Sequence, residues 1–230
     1  MFGLVAPRYD FLNRLLSLGL DRTWRKVSVD TIAPTPNERF LDLATGTADV
    51  ALEIASRRAK GVRVFGLDFS LPMLERAQKK IRGAGRCDTI ILQAGSGEVL
   101  PFPDDCFDGL TCAFGIRNFA DVRRGLEEMR RVLKPGGRVV ILEFSMPRRG
   151  PLGDLYRWYF DRVLPSVGRW VSGHPDAYKY LPRSVAAFPS RKEFMNAMRE
   201  AGFCSIRPRT LTLGVVTIFW ATPSSVESNS

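Results

Sequence analysis

The sequence predicts an α/β fold, a doubly wound and mostly parallel seven-stranded sheet with an antiparallel C-terminal strand pair. Two observations lead to this prediction. From Glu38 onward, short apolar runs alternate with amphipathic stretches, which is typical of strands and crossover helices in a parallel sheet. Near the carboxyl terminus, two apolar runs follow each other with no helical stretch between them, so we expect them to pair antiparallel.

The elements follow in chain order, apolar runs indicating strands and amphipathic stretches indicating helices. The predicted strands span 38–43, 62–67, 88–93, 107–113 and 137–144, and the predicted helices span 49–59, 71–83 and 121–133. A turn at 134–137, rich in Pro and Gly, is expected to end the third helix. A fourth helix, 190–202, precedes the paired apolar runs 203–211 and 213–221.

Two segments fall outside the alternation, the N-terminal helical segment 1–34 and the aromatic-rich insert 147–188. Open α/β sheets bind ligands at the carboxyl ends of their strands, so we predict that both segments cap that edge. At 230 residues the chain is within the size that one hydrophobic core can reach. We therefore expect a single domain over 1–222 and a disordered tail over 223–230.

Composition and charge exclude several classes of protein. Apolar residues make up 45% and charged residues 25%, which is ordinary for a globular chain. No run approaches the ~20 apolar residues that span a bilayer, and the start shows no export signal, so we expect a cytoplasmic protein, with the inner face of the membrane as the alternative. The scattered cysteines and single His174 predict no metal site. The net charge of +10 is spread over several helical stretches, and we expect no nucleic-acid partner.

The first strand and the helix after it are joined by a turn of small residues, which lets backbone amides approach a ligand closely. About twenty residues further on, Asp68 ends the second strand, where a ribose-binding carboxylate is expected. The alternative for Asp68 is to cap the following helix, but Ser70 is better placed for that role.

Asp49 stands at the start of the first crossover helix. A carboxylate there would repel the pyrophosphate of a dinucleotide but suits the ammonium or sulfonium group of S-adenosylmethionine, which carries no phosphate. The alternative is that Asp49 only complements the helix dipole, a contribution of ~0.3–1 kcal/mol. The sequence favours neither reading.

Several further segments, taken in order, resemble the ubiquinone/menaquinone biosynthesis C-methyltransferase family, over about residues 4 to 221. The most specific are the Tyr-Asp-x-x-Asn start, the Phe-Gly-x-Arg-Asn segment and Tyr-Lys-Tyr-Leu in the insert. They and the more general motifs lie at 9–13, 18–26, 100–103, 114–118, 131–137, 142–145 and 178–181. The chain departs from the family where Gly-Gly-Thr-Gly is common, since it has Thr45-Gly46-Thr47-Ala48, and where Ser is frequent, since it has Ala113.

This resemblance implies methyl transfer from S-adenosylmethionine, with S-adenosylhomocysteine as product, to a ring carbon of a polyprenyl quinol. The acceptor would be demethylmenaquinol, 2-polyprenyl-6-methoxy-1,4-benzoquinol, or both. Together with the turn and the strand ends, the resemblance gives these predicted cofactor contacts: Asp42, Thr45, Gly46, Thr47, Asp49, Asp68, Phe69, Gly95, Ser96 and Ala113.

Near the acceptor we expect Arg117, Asn118 and Tyr9. Arg117 is a poor base because its guanidinium stays protonated, so its predicted role is to stabilise the developing phenolate. The alternative is a surface ion pair for Arg117 and a turn-forming role for Asn118.

There are two alternatives to quinol methylation. The chain could methylate another small phenolic or amine metabolite, or it could be a non-catalytic cofactor-binding subunit. Two further hypotheses are that the protein contacts an anionic membrane surface and that it forms a homodimer.

Overall fold

A computed structural model describes residues 14, 17–57, 59–145 and 184–224. In this part of the chain, strands form one seven-stranded sheet in the order β3-β2-β1-β4-β5-β7-β6. The strands are β1 Arg39–Leu43, β2 Arg63–Asp68, β3 Ile90–Ala94, β4 Phe107–Ala113, β5 Leu133–Phe144, β6 Phe203–Leu211 and β7 Val216–Pro223. The first five are parallel and β7 runs antiparallel to both β5 and β6. The predicted fold class, with its antiparallel C-terminal pair, is confirmed.

Helices cover both faces of the sheet, because consecutive strand residues point to opposite faces and both faces are apolar. Phe40 packs with one layer and its neighbour Leu41 with the other, and both are fully buried. The first layer consists of α1 Leu20–Ile32, α2 Asp49–Ser56 and α3 Leu71–Gly83, and the second of α4 Val122–Val132 and α5 Arg191–Glu200. No helix of the described ranges is both long and apolar enough to cross a bilayer.

The helix α1 differs from the predicted cap. Its apolar stripe, which includes Val29 and Ile32, is buried against one face of the sheet. Only its first turns reach the carboxyl edge, where the Trp24 indole Nε1 donates a hydrogen bond of 2.8 Å to Thr212 Oγ1. An amphipathic helix gains more by covering a sheet face than an edge. Residues 1–13 of the N-terminal segment, and nearly all of the insert 147–188, lie outside the described residues.

Some boundaries also differ from prediction. β5 begins at Leu133, where the sequence predicts the end of a helix followed by a turn, because Phe107 pairs with Leu133 before the register shifts. Gly136, at φ 77°, accommodates that irregularity within the strand. At the other end of the sheet, β7 continues through Pro223, and the Ser224 amide donates to the Gly202 carbonyl, within the segment predicted as tail.

β6 forms one edge of the sheet. Between Cys204 and Arg207 its pairing with β7 shifts register, and Ser205 there has φ 51°. Pro208 follows, flanked by the exposed Arg207 and Arg209.

Candidate active site

A cavity of about 350 Å³ opens at the carboxyl ends of β1 to β4. This is the edge at which doubly wound sheets bind ligands, and the volume is in the range of small-molecule sites. The cavity lining includes these residues predicted from the sequence: Gly46, Asp68, Phe69, Gly95, Ser96, Ala113 and Asn118.

The turn after β1 forms the floor of the cavity. Ala44, Gly46 and Ala48 have left-handed φ values of 54°, 57° and 66°, so the chain folds back within a few residues. Thr45 N–H donates to the Leu67 carbonyl at 3.0 Å, and Gly46 N–H donates to Asp68 Oδ2 at 2.8 Å. The turn is thereby fixed to the end of β2.

Asp68 lies on the cavity wall and is 6% exposed. Burial raises the pKa of this carboxyl, against hydrogen bonds from the Ser70 and Gly46 amides. Oδ1 accepts the Ser70 N–H at 2.9 Å, and the Ser70 side chain, although at the N-cap position, makes no capping hydrogen bond. A carboxylate offers about four acceptor positions, so Asp68 keeps capacity for ligand hydroxyls.

Asp42 supports the turn from below and does not line the cavity. It accepts hydrogen bonds from the hydroxyls of Thr45 at 2.6 Å and Thr111 at 2.7 Å. Burial raises the pKa of Asp42 to about 6, although both hydroxyls oppose the shift. Asp42 and Thr45 therefore join the turn to β4, and a cofactor contact at either residue stays a prediction.

Asp49 and Thr47 also lie behind the turn, away from the cavity lining. Asp49 forms ion pairs with Arg25 of α1, at 2.9 Å, and with Lys80 of α3. The Lys80 ammonium also donates to Thr47 Oγ1 at 3.0 Å. These contacts connect three helices behind the turn. Neither reading of Asp49 from the sequence included the two cations, since both are far away along the chain.

The opposite wall of the cavity is the turn after β4, which continues into a 3₁₀ helix over Ile116–Asn118. Phe114, Gly115 and Asn118 of this turn line the cavity. Phe114 has φ 57°, and a Cβ on Gly115 would lie 2.4 Å from the Ala44 Cβ, so only glycine lets the two turns meet this closely. The side chains of Trp24, Phe114 and Phe144 form an aromatic cluster behind the turn.

Arg117 does not line the cavity, and its side chain is 8% exposed. Its guanidinium forms a 2.8 Å ion pair with Glu143 of β5, which is fully buried, and lies over the Phe144 ring at 5.4 Å. The surface ion pair considered from the sequence is thus wrong as to its location, because the pair is in the interior. Tyr9, the third residue predicted near the acceptor, lies outside the described residues.

Sequence reasoning missed Met73, Phe114 and Phe119, which line the cavity, and also Glu143, which does not line it but pairs with Arg117. A signal for Glu143 was present. It is the single charged residue in the otherwise apolar run 139–144, and a buried strand tolerates a carboxylate only with a partner.

Sheet order, turn and strand-end carboxylate together define the class of the protein as the methyltransferase fold. Two solved structures share it: a SAM-dependent methyltransferase from Aquifex aeolicus, with TM-score 0.61, 18% identity and 86% and 89% of the two chains covered, and the cyclase SpnF, with TM-score 0.72, 16% identity and 97% and 94% covered. At these identities the likeness shows the fold alone.

Residues 1–223 match the ubiE/COQ5 methyltransferase family, and the chain belongs to that family. The ubiquinone/menaquinone biosynthesis C-methyltransferase UbiE of Geotalea daltonii is 51% identical over 219 residues, covering 95% of this chain and 93% of the relative. The demethylmenaquinone methyltransferase of Thermus thermophilus is 50% identical over 218 residues, covering 95% and 97%. The protein is therefore an enzyme, a C-methyltransferase.

Proposed function

We propose that this enzyme transfers a methyl group from S-adenosylmethionine to a ring carbon of a polyprenyl quinol in isoprenoid quinone biosynthesis. The observation that carries the proposal is the cavity itself, which has the buried Asp68 on one side and the Gly115–Asn118 turn on the other. The names of relatives at about half identity support a quinol as the acceptor.

The charge of the cavity fits this cofactor. Of the described residues that line it, none is Lys or Arg, whereas Asp68 and Glu98 are acids. A site for a pyrophosphate would present cations or a glycine-rich helix start, but a ligand with a sulfonium and an ammonium group favours carboxylates. We assign the ribose hydroxyls to Asp68.

The shape of the cavity also fits. Gly46 has open space where a side chain would begin, so its backbone allows close approach of a ligand, whereas the missing side chain of Gly95 leaves room for Leu67, 3.2 Å from where its Cβ would lie. Phe69 and Met73 give the same part of the cavity an apolar wall, and the Phe69 ring is 60% exposed. Burial of that exposed ring against an adenine would be favourable.

When bound, S-adenosylmethionine supplies an electrophilic methyl group on a positively charged sulfur. The chain's task is to align the quinol ring with that methyl and to stabilise the phenolate as the ring becomes nucleophilic. Asn118 lies on the cavity wall and is assigned to a quinol oxygen, with Arg117 next to it as a hydrogen-bond donor. Phe114 and Phe119 exclude water from the same wall.

A lipid tail on the acceptor agrees with the hypothesis of contact with an anionic membrane. If vesicles with anionic headgroups fail to retain the protein at low salt, that hypothesis is to be dropped. Tyr9 as an acceptor contact, Asp49, Thr47 and Ala113 as cofactor contacts, and a homodimeric assembly stay predictions.

The test is methyl transfer from isotope-labelled S-adenosylmethionine into short-tailed demethylmenaquinol and benzoquinol, each supplied separately. We expect label on a ring carbon of at least one, with its position determined by mass spectrometry and NMR. Binding of S-adenosylhomocysteine without transfer to either ring would indicate another acceptor class. Failure to bind it in calorimetry would contradict the assignment of the cavity to S-adenosylmethionine.

A further inference from the structure

The carboxylate of Glu143 collects hydrogen bonds from the turn that forms the acceptor wall. Its Oε1 accepts from Arg117 Nη1 at 2.8 Å and from the Phe144 amide at 2.8 Å, and its Oε2 accepts from the Arg117 amide at 3.4 Å. Glu143 itself is fully buried, so water does not compete for these bonds. One strand residue thereby holds both the backbone and the side chain of Arg117.

Through Arg117, this contact reaches the cavity. Arg117 Nη1 also donates to the Phe114 carbonyl, which accepts a second hydrogen bond, at 3.4 Å, from Asn118 Nδ2. Phe114 has a left-handed backbone, which is strained for a non-glycine residue and persists only where neighbouring contacts enforce it. The Glu143 carboxylate is such a contact.

The Nε–H donor of Arg117 is buried and has no hydrogen-bond partner in the described part of the chain. An unpaired buried donor destabilises the fold, so its retention calls for a partner that arrives later. Arg57 Nε is also unpaired, but that side chain is 26% exposed and lies at the end of α2, whereas Arg117 belongs to the turn whose residues Gly115 and Asn118 line the cavity.

We propose that Glu143 is a positioning residue for methyl transfer, which orients the Arg117 guanidinium so that its free N–H meets the oxygen of the acceptor ring. The inference rests on the proposed function and deepens it. Because Glu143 neutralises the guanidinium, the pair offers the acceptor a directed hydrogen bond and no net charge. Lysine, which has a compact ammonium and no fork, would not supply that geometry.

The test measures kcat, KM for both substrates, and S-adenosylhomocysteine affinity for Glu143→Gln, Glu143→Asp, Arg117→Gln and the Glu143→Gln/Arg117→Gln double variant. We expect kcat to fall at least ~10-fold in both Glu143 variants, with the affinity for S-adenosylhomocysteine unchanged, because that ligand is assigned to the Asp68 side. If Glu143 acts through Arg117, the double variant has the kcat of Arg117→Gln alone. Glu38→Gln is the matched control, since it breaks an arginine pair at the opposite edge.

Two results would overturn the inference: unchanged kcat in a folded Glu143 variant, or a double variant whose loss is the product of the two single losses. If Glu143→Gln does not fold because Arg117 is left buried without a counter-charge, Glu143→Asp decides, since it keeps the charge and withdraws it by one methylene. Absence of methyl transfer to any quinol by the unaltered protein overturns the proposed function as well.

Discussion

At the amino edge of the sheet, the carboxylates of Glu38 and Asp108 are partly exposed and paired with cations, whereas at the carboxyl edge those of Asp42, Asp68 and Glu143 are buried. Burial raises the pKa of Glu38 and of Asp108, but Arg138 and Lys134 respectively more than offset it, and both pKa values lie below the ordinary range. At the carboxyl edge the balance is reversed. Burial holds the pKa values of Asp42, Asp68 and Glu143 above the ordinary range, although each accepts hydrogen bonds.

The arginines show the same difference. Arg138 donates hydrogen bonds from Nη1 and Nη2 to the two carboxylate oxygens of Glu38, at 2.8 and 2.7 Å, and it also donates to the carbonyls of Ile32 and Ala33. Arg117 contacts Glu143 through one guanidinium nitrogen and leaves Nε unpaired. The amino edge thus satisfies its polar groups and stabilises the fold. The carboxyl edge keeps charged groups buried and incompletely paired at a cost in stability, as binding sites commonly do.

The largest effect is expected from Arg117→Lys, which keeps the charge and removes the fork of N–H donors. Loss of one directed donor to a developing oxyanion typically lowers kcat by about 100-fold or more. We expect this fall in steady-state kinetics, with unchanged affinity for S-adenosylhomocysteine. Arg138→Lys, the same change at the amino edge, is expected to leave kcat as it is. Equal losses in the two variants would abolish the distinction between the edges.

The pH dependence of stability should have opposite signs at the two edges. With its pKa near 6, native Asp42 binds a proton that the unfolded chain does not, so its contribution to the free energy of unfolding rises as pH falls from 6 to about 4. The difference is on the order of 2 to 3 kcal/mol. Glu38, whose pKa is lowered, contributes stability that is lost as pH falls below its ordinary pKa.

Urea unfolding of Asp42→Asn and Glu38→Gln between about pH 3 and pH 7 measures both contributions, since the Glu38 contribution is lost below the ordinary pKa of a glutamate. In Asp42→Asn the free energy of unfolding should no longer gain the Asp42 contribution as pH falls. In Glu38→Gln it should no longer lose the Glu38 contribution at low pH. The free energy of unfolding of each variant, subtracted from that of the wild type, gives one difference curve against pH. If the two curves changed with pH in the same direction, the assignment of buried and paired carboxylates to separate edges would be contradicted.

Asp68→Asn is expected to weaken S-adenosylhomocysteine binding about 10- to 150-fold, since hydrogen bonds to a charged group contribute about 1.5–3 kcal/mol. Isothermal titration calorimetry gives the dissociation constant. Asp108→Asn makes the same change at the amino edge, where the carboxylate accepts from Lys134 and the Arg39 amide, and should leave binding unchanged. Wild-type affinity in Asp68→Asn would remove the ribose contact from the proposal.

The smallest effect concerns two left-handed alanines. Ala33, at φ 49° and exposed, ends α1 at the amino edge, and Ala33→Gly should raise the free energy of unfolding by about 1 kcal/mol. Ala48, at φ 66°, is fully buried, so in Ala48→Gly the relief of strain is offset by a lost methyl contact worth about 0.8 kcal/mol. Urea midpoints at constant m-value compare them. A larger gain at Ala48 would show that its methyl is poorly packed.

Local patterns predicted the strands, their partition into parallel and antiparallel sets, and the placement of Asp68 on the ligand edge. An acid at a strand end is a local signal, as is a turn of small residues. Asp49 shows where such reasoning stops. Its two partners, Arg25 and Lys80, are 24 and 31 residues away, and nothing in their own surroundings marks them as its partners. Ion pairs between helices depend on packing, which spacing along the chain does not reveal.

The acceptor side was predicted less completely for the same reason. Arg117 and Asn118 were found through the family resemblance, but the resemblance gave no partner for Arg117. That partner comes from β5, 26 residues further on, and is reached only because β4 and β5 pair in parallel. The single acid in that apolar strand is the kind of local contradiction that marks a functional position.

The outermost strand β6 has a consequence for how copies of this protein meet. A proline offers no amide hydrogen, and a register shift with two flanking arginines twists and charges the strand, so this border is a poor template for an added strand from another molecule. Copies of this protein are therefore not expected to associate by continuous backbone pairing across this border.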